Sequence, residues 1–402
     1  MKILFISYDG MTDPLGQSQV IPYLQGLSRS GHRIWLLSFE KPERYESGKL
    51  DIETLLKNAE ITWLPQIYTS KPPVLSTLKD IRTMRKVAFE TIAKEKIDVL
   101  HCRSYISALI GQAAKKKFGT RFIFDMRGFW ADERVDGGLW NLSNPIFKRI
   151  YSFFKKKEKQ FLLEADAVVS LTQNASDEIH AWKGFQHVPI TVIPCCADLD
   201  LFKRPAETHI QNLKEELDIT ADAFVLTYLG SLGTWYMLSE MLEFFKKLSQ
   251  ARSNAHFLFL TADEPSMVFD QAEKMGIPKS QIRVKKAARK EVPLWASVGN
   301  ASLFFIRPLF SKKASSPTKM GELMSLGMPL ICNNQVGDVE QILRDGGNGI
   351  ILTAFNTAAY EKAISELDEV LTLNPQNSID CAYKYYSLKN GIDLYLSIYN
   401  RL

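Results

Sequence analysis

Cysteine is scarce in this sequence, and what there is has no useful spacing. The five cysteines are an odd number, Cys195 and Cys196 are adjacent, and no CxxC pair occurs anywhere. This excludes a disulfide-stapled fold and a zinc site, and it fits a reducing, cytoplasmic setting. No DxD-like pair ends a strand and no His or Cys cluster has ligand spacing, so no metal is expected. Long apolar runs are missing as well. The opening MKILFIS stops at a turn, short of a signal peptide, and no later run approaches the roughly 18 residues of a spanning helix. The chain is therefore expected to be soluble or peripheral on the inner face of a membrane. Charge of one sign is not in excess either: 50 basic and 45 acidic residues leave +5, which gives no ground for a nucleic-acid partner. There is no low-complexity tract, and no internal repeat closer than two domain-sized halves.

What is present is an ordinary globular composition, 46% hydrophobic and 24% charged, in 402 residues, enough for two domains with separate cores. Strand-like runs alternate with helix-like stretches: ILFIS (3–7), a helix at 19–30, IWLLSF (34–39), a basic helix at 75–96, DVLHC (98–102), a helix at 106–117, RFIFDM (121–126), AVVSLT (167–172) and ITVIP (190–194). The rhythm predicts a parallel α/β sheet. It breaks near residue 200 and restarts with FVLTYLG (224–230), HFLFLT (256–261), IRVKKA (282–287), ASLFFI (301–306), LIC (330–332) and GIILT (349–353). Two Rossmann-like, doubly wound domains are expected, 1–200 and 201–379, facing each other across a cleft, since such sheets bind ligands at the carboxyl ends of their strands. The tail 380–402 carries Tyr383, Tyr386, Leu394, Tyr395, Ile398 and Tyr399 at helical spacing and should bury a face, on either domain.

Several stretches could carry chemistry. In SSPTKMGELMSLGMPLI (315–331), Ser316 is expected to cap a helix with Pro317 as its first residue, and Gly327 to end it. Lys319 and Glu322 then share a face near the N-terminus, where N–H groups attract anions; the alternative is a solvated surface pair. Gly230, Ser231 and Gly233 join a strand to a helix in a turn small enough for a pyrophosphate, and Arg307, Lys312 and Lys313 add a cationic rim. In the first domain, Gly16 lies in the turn after the first strand; the pattern is not GxGxxG, and a plain connecting loop is the alternative. The stretch MRGFWADERVDGGLW crowds Arg127, Asp132 and Glu133 at a strand end, as an active-site loop would, or as a solvated loop anchored by Trp130. His101 ends the preceding strand as a further catalytic candidate, although a lone histidine is more often structural. NPIFKRIYSFFKKKEKQFLLEA (144–165) mixes aromatics with lysines. It could lie on an anionic membrane, or pack its Phe and Ile residues into the first domain.

Taken together, MKILFIS followed by DPLGQSQVIPYLQGLSRSGH, the phrase VIPCCADLDLF (192–202), the DMRGFWADE loop and the SPTKMGELMSLGMPLI block resemble glycosyltransferase family 4, most closely its bacterial surface-polysaccharide branch. The resemblance covers nearly the whole chain. It implies a retaining enzyme of the GT-B fold that moves a sugar from a nucleotide-sugar donor to a glycan or lipid-linked acceptor, with the donor as co-substrate and no cofactor. It implies that Glu322 holds the ribose hydroxyls and that catalysis is front-face transfer with the diphosphate leaving. Three departures stand out. Many relatives carry a glutamate eight residues before the ribose one, where this chain has Ala314, which leaves the sugar to Ser315 and Ser316. Many carry a histidine where Arg127 stands. The Arg and Lys that often grip the diphosphate are absent from GSLGTWYML, which leaves that charge to Lys319 or Arg307. Two other readings fit less of the sequence: a GT-B nucleotide-sugar epimerase with an acid/base set at Asp132, Glu133 and a histidine, and a non-catalytic partner subunit.

Overall fold

Strands that are apolar along their whole length are buried on both faces, and every strand here lies in a parallel sheet covered by helices. The computed structural model describes residues 1–402 as two units, one of Met1–Cys195 with Leu388–Leu402 and one of Cys196–Ser387. In the first unit β1 (Lys2–Ser7), β2 (Arg33–Glu40), β3 (Ile61–Ile67), β4 (Val99–Arg103), β5 (Arg121–Asp125), β6 (Ala167–Ser170) and β7 (Ile190–Val192) are ordered β3-β2-β1-β4-β5-β6-β7. In the second, β8 (Val225–Leu229), β9 (His256–Leu260), β10 (Ile282–Lys285), β11 (Ala301–Phe304), β12 (Leu330–Asn333) and β13 (Gly349–Leu352) are ordered β10-β9-β8-β11-β12-β13. The order reverses between β1 and β4, and between β8 and β11. Those are the switch points where a doubly wound sheet opens a crevice for ligands.

ITWLPQI, a strand the sequence reading did not include, forms β3 although Pro65 interrupts its pattern; proline is tolerated because β3 is an edge strand. Two sequence expectations need correction. The helix expected at 19–30 is two, Pro14–Gln19 and Ile21–Arg29. The tail is likewise two helices, Pro375–Tyr386 and Leu388–Arg401, separated at Ser387. The first packs on the Thr318–Ser325 helix in the second unit, the last on Ile21–Arg29 in the first. Tyr386, Tyr395, Ile398 and Tyr399 are buried, whereas Tyr383 and Leu394 stay exposed, each on the outward side of its own helix.

The Pro145–Glu164 helix, capped by Asn144, buries Phe154, Phe161 and Leu162 and leaves Ile146, Phe153 and Leu163 in solvent. No helix is long and apolar enough to cross a membrane.

The last helix is seated on a glycine. A Cβ on Gly26 would lie 2.2 Å from Ile392 Cδ1. Gly26→Leu is therefore expected to destabilise the chain by about 1–3 kcal/mol through overpacking. Ile392→Ala in the same chain should recover part of the loss, both read as urea midpoints.

Candidate active site

The loop after β1 is held by one buried carboxylate. Glu40, at the end of β2, accepts from Met11 N (2.8 Å), Thr12 N (3.0 Å), Thr12 Oγ1 (2.7 Å) and Ser38 Oγ (2.5 Å). The loop is drawn so tightly that a Cβ on Gly16 would come within 2.3 Å of the Gly10 carbonyl. Gly16 sits in the Pro14–Gln19 helix, and packing is what demands glycine there.

Behind this loop the ends of β4 and β5 form a buried polar network. Asp125 Oδ2 accepts from Tyr395 Oη at 3.0 Å and lies 3.3 Å from His101 Nε2, while His101 Nδ1 is 2.6 Å from Tyr399 Oη. His101, expected at a ligand cleft, is thus a core residue: it is almost wholly buried, packed on Phe5, with both ring nitrogens engaged inside its own unit. Burial pushes the Asp125 carboxyl up, but Arg127, His101 and Arg103 outweigh it and hold the group below the usual carboxylate range. Arg127 has φ 56°, an uncommon region for a non-glycine residue, and its side chain is largely buried. It donates to Cys195 Sγ (3.2 Å) and lies 3.9 Å from Asp125. Its Nε and Asp125 Oδ1 have no hydrogen-bond partner. Asp132, in the short Trp130–Asp136 helix, is tied to Tyr151 Oη (2.8 Å) and Lys155 Nζ (2.7 Å), which makes it a packing contact with the Pro145–Glu164 helix. Glu133 beside it is half-buried. Asp125, Arg103, Asp9 and Glu40 were missed in the sequence. Their one signal is a polar residue closing or following an apolar strand, as in RFIFD and LLSFE; Arg103 pairs with Asp9 at the β1–β4 switch point.

In the second unit the helix runs Thr318–Ser325, with Pro317 at the cap position where Ser316 was expected. Gly327 does take the left-handed conformation, φ 70°. Lys319 and Glu322 are no surface pair: they are 8% and 4% exposed. Glu322 Oε1 accepts from Arg289 at 2.6 Å, and Arg289 stacks on Phe202 at 4.8 Å. Lys319 Nζ sits 3.8 Å from the Tyr236 ring centroid, 4.3 Å from that of Tyr228 and 3.3 Å from Tyr228 Oη. Gly230, φ 118°, makes this possible, since a Cβ there would lie 2.7 Å from Lys319 Nζ. The turn is fixed further: Ser231 O accepts from Tyr228 Oη, and Leu232 N donates to Asp263. Gly233 has open space around it. Ser315 and Ser316 are half-buried beside the helix start. Arg307 is exposed, while Lys312 is buried over the Trp235 ring at 3.5 Å. The structure thus gathers Gly230, Lys319 and Glu322. No group of three His, Cys, Asp or Glu side chains is placed to hold a metal ion.

Residues 19–201 match the family model described as Glycosyltransferase Family 4, and residues 209–371 match Glycosyl transferases group 1. The chain belongs to the family 4 type of glycosyltransferases. No curated protein matches it significantly in sequence. Among solved structures it is similar over its full length to the sucrose-phosphate synthase of Thermosynechococcus elongatus (TM-score 0.76, 12% identity, 98% of that chain covered). It is similar also to a glycosyltransferase of Rickettsia africae (0.71, 15%, 98%) and to Anabaena HepE in complex with UDP (0.70, 14%, 100%). At these identities the likeness is one of fold, and the fold is GT-B.

This glycosyltransferase keeps an amine where folding alone would not place one. Lys319 has no carboxylate within ion-pair distance, and burial pushes its ammonium down from 10.5 to about 7, with Glu322 pulling weakly the other way. Removing the charge should therefore stabilise the fold: Lys319→Met is expected to gain about 1–4 kcal/mol at pH 6.5. Below pH 7 the full cost of the charge is present. Between 7 and 10.5 only the unfolded chain keeps the proton, so the cost shrinks as pH rises. The gap between variant and wild type should accordingly narrow from pH 7 to 10 in thermal melts.

Proposed function

We propose that this glycosyltransferase transfers a sugar from a nucleoside-diphosphate sugar, with retention and without a metal, to a glycan or lipid-linked acceptor in bacterial polysaccharide, capsule or lipopolysaccharide synthesis. The observation that carries the donor half of this reading is the buried pair on the Thr318–Ser325 helix, set against a glycine turn. Glu322 would take the ribose hydroxyls, with Arg289 fixing one of its oxygens so that the other faces the sugar. Lys319 and the backbone N–H groups of Gly230, Ser231 and Gly233 would take the diphosphate. Ser315 and Ser316 would take the transferred sugar in place of the carboxylate absent at Ala314, and exposed Arg307 would lie at the rim.

In the reaction the bond from the anomeric carbon to the diphosphate oxygen breaks, and the acceptor oxygen bonds to the same face of that carbon. The acceptor proton passes to the departing phosphate. The protein's main contribution is charge: a desolvated ammonium and fixed N–H dipoles stabilise the developing diphosphate more than water would. Arg127 and Glu133, at the β5 end, would serve the acceptor side. We place the enzyme in the cytoplasm, working at the membrane when its acceptor is lipid-linked. The epimerase reading needs a histidine free to exchange protons, and His101 is committed to Asp125 and Tyr399.

HepE was solved with UDP, so uracil is the first base to try. Thermal melts with UDP, GDP, ADP and CMP, with and without magnesium, are expected to show one nucleoside diphosphate raising the wild-type midpoint without metal. At a hundredfold excess over Kd the gain is about 2.7 kcal/mol. Glu322→Ala should lose the shift. No shift from any nucleotide contradicts the donor site.

A further inference from the structure

Three helices of the first unit, Leu75–Glu95, Ser104–Phe118 and Pro145–Glu164, lie side by side on one face of its sheet, the middle one packed against both neighbours. Together they carry fourteen basic and five acidic side chains, a net of +9. The remaining chain then holds 36 basic and 40 acidic residues, a net of −4, although the whole sequence is only +5. Two of the five acids do not reach solvent. Asp80 is buried under Tyr8 and Thr69, and Glu158 is buried against Tyr105. The basic groups do: Lys79, Arg82, Arg85 and Lys86 on the first helix are exposed, and so are Lys148, Arg149, Lys156 and Lys159 on the third.

The same layer leaves large apolar side chains in water. Leu75 is 64% exposed, Leu78 46%, Ile146 60% and Phe153 46%; Leu163 and Phe118, in the last turns of their helices, are exposed too, at the other end of the layer. Crossover helices of a parallel sheet all run against the strands. The first turns of the Leu75–Glu95 and Pro145–Glu164 helices therefore lie at one end of the layer, by the carboxyl ends of the strands. Leu75, Leu78 and Ile146 belong to those opening turns, and basic residues follow them along each helix. A polyanion would use the charge but gives no reason for exposed leucine, isoleucine and phenylalanine. An anionic bilayer uses both, the lysines and arginines at the headgroups and the apolar side chains just below them.

We propose that this three-helix face docks on an anionic lipid surface, with Leu75, Leu78 and Ile146 of its opening turns set into the headgroup layer at the end of the sheet where ligands bind. The contact is independent of the donor site, so its success or failure is separate from that of the nucleotide reading.

The test is flotation of the full chain with phosphatidylcholine vesicles, with and without phosphatidylglycerol, in the absence of nucleotide. Binding is expected only with phosphatidylglycerol and is lost in high salt. Replacing Arg82 and Arg149 by Gln should weaken it about fivefold per side chain. The quadruple variant Leu75→Ser, Leu78→Ser, Ile146→Ser, Phe153→Ser should weaken it at least tenfold. Leu78 and Phe153 each bury about half their surface, and Phe153 packs on Phe154 at 5.1 Å, so the variant's thermal midpoint should fall by a few degrees, and flotation is read well below it, where the variant is folded. Equal binding to both vesicle types, no binding to either, or wild-type binding by the serine variant overturns the proposal. The last result, with heparin competing, would make the face a polyanion site instead.

Discussion

One buried amine, that of Lys319, sets the character of the strand-end site in the second unit. Lys319 lies among Tyr228, Tyr236 and Phe304, within reach of a tyrosine hydroxyl and of no carboxylate. Aromatic faces offer a cation some compensation, but less than the water it has given up, which is why its pKa falls to about 7. Around it the chain has made specific provisions. A residue at φ 118° without a Cβ leaves room for the ε-carbon and nitrogen, and Tyr228 is pinned to the backbone of the same turn. A buried cation without a carboxylate partner, at a strand end where an open sheet binds ligands, is what leads us to propose an anion site there.

Glu322, one turn along the helix, completes the logic with the opposite sign. Its carboxylate is desolvated like Lys319 but has Arg289, which is itself anchored on Phe202. The helix thus presents a weakly held cation next to a firmly held anion. That arrangement suits a ligand with a diphosphate at one end and hydroxyl groups at the other. In the first unit the polar groups at the strand ends are treated differently. Asp125 is surrounded by Arg127, His101 and Tyr395, and the last helix of the chain supplies both tyrosines, so that network ties the C-terminus into the first unit.

Much of this was legible in the sequence. Apolar runs such as ILFI and FVLTYL read directly as strands because parallel strands are buried on both sides. Spacing put Lys319 and Glu322 on one helix face and Gly230 in a strand-to-helix turn, but a solvated surface pair fitted that spacing as well, and only the family resemblance gave Glu322 a ligand. What was not legible followed from long-range geometry. Arg289 is 33 residues from the carboxylate it binds, and nothing in its own segment marks it. His101 looked like a site residue because it closes a strand, but its environment is set by Tyr399, 298 residues away. The helix start slipped past Ser316 to Thr318 because Pro317 took the cap position. The exposed apolar and basic side chains of the first unit could be read as core or as surface until packing showed which faces of the Leu75–Glu95 and Pro145–Glu164 helices point outward.

The most direct test of the central claim is the proton balance of nucleotide binding. If Lys319 is mostly neutral in the free protein at pH 8 and meets a diphosphate on binding, the complex must take up a proton. Calorimetric titration with UDP at pH 8, in two buffers of different ionisation enthalpy, should then show an uptake approaching one proton per site, and Lys319→Met should show none. Binding with no proton uptake, or with the same uptake in the methionine variant, would contradict the account.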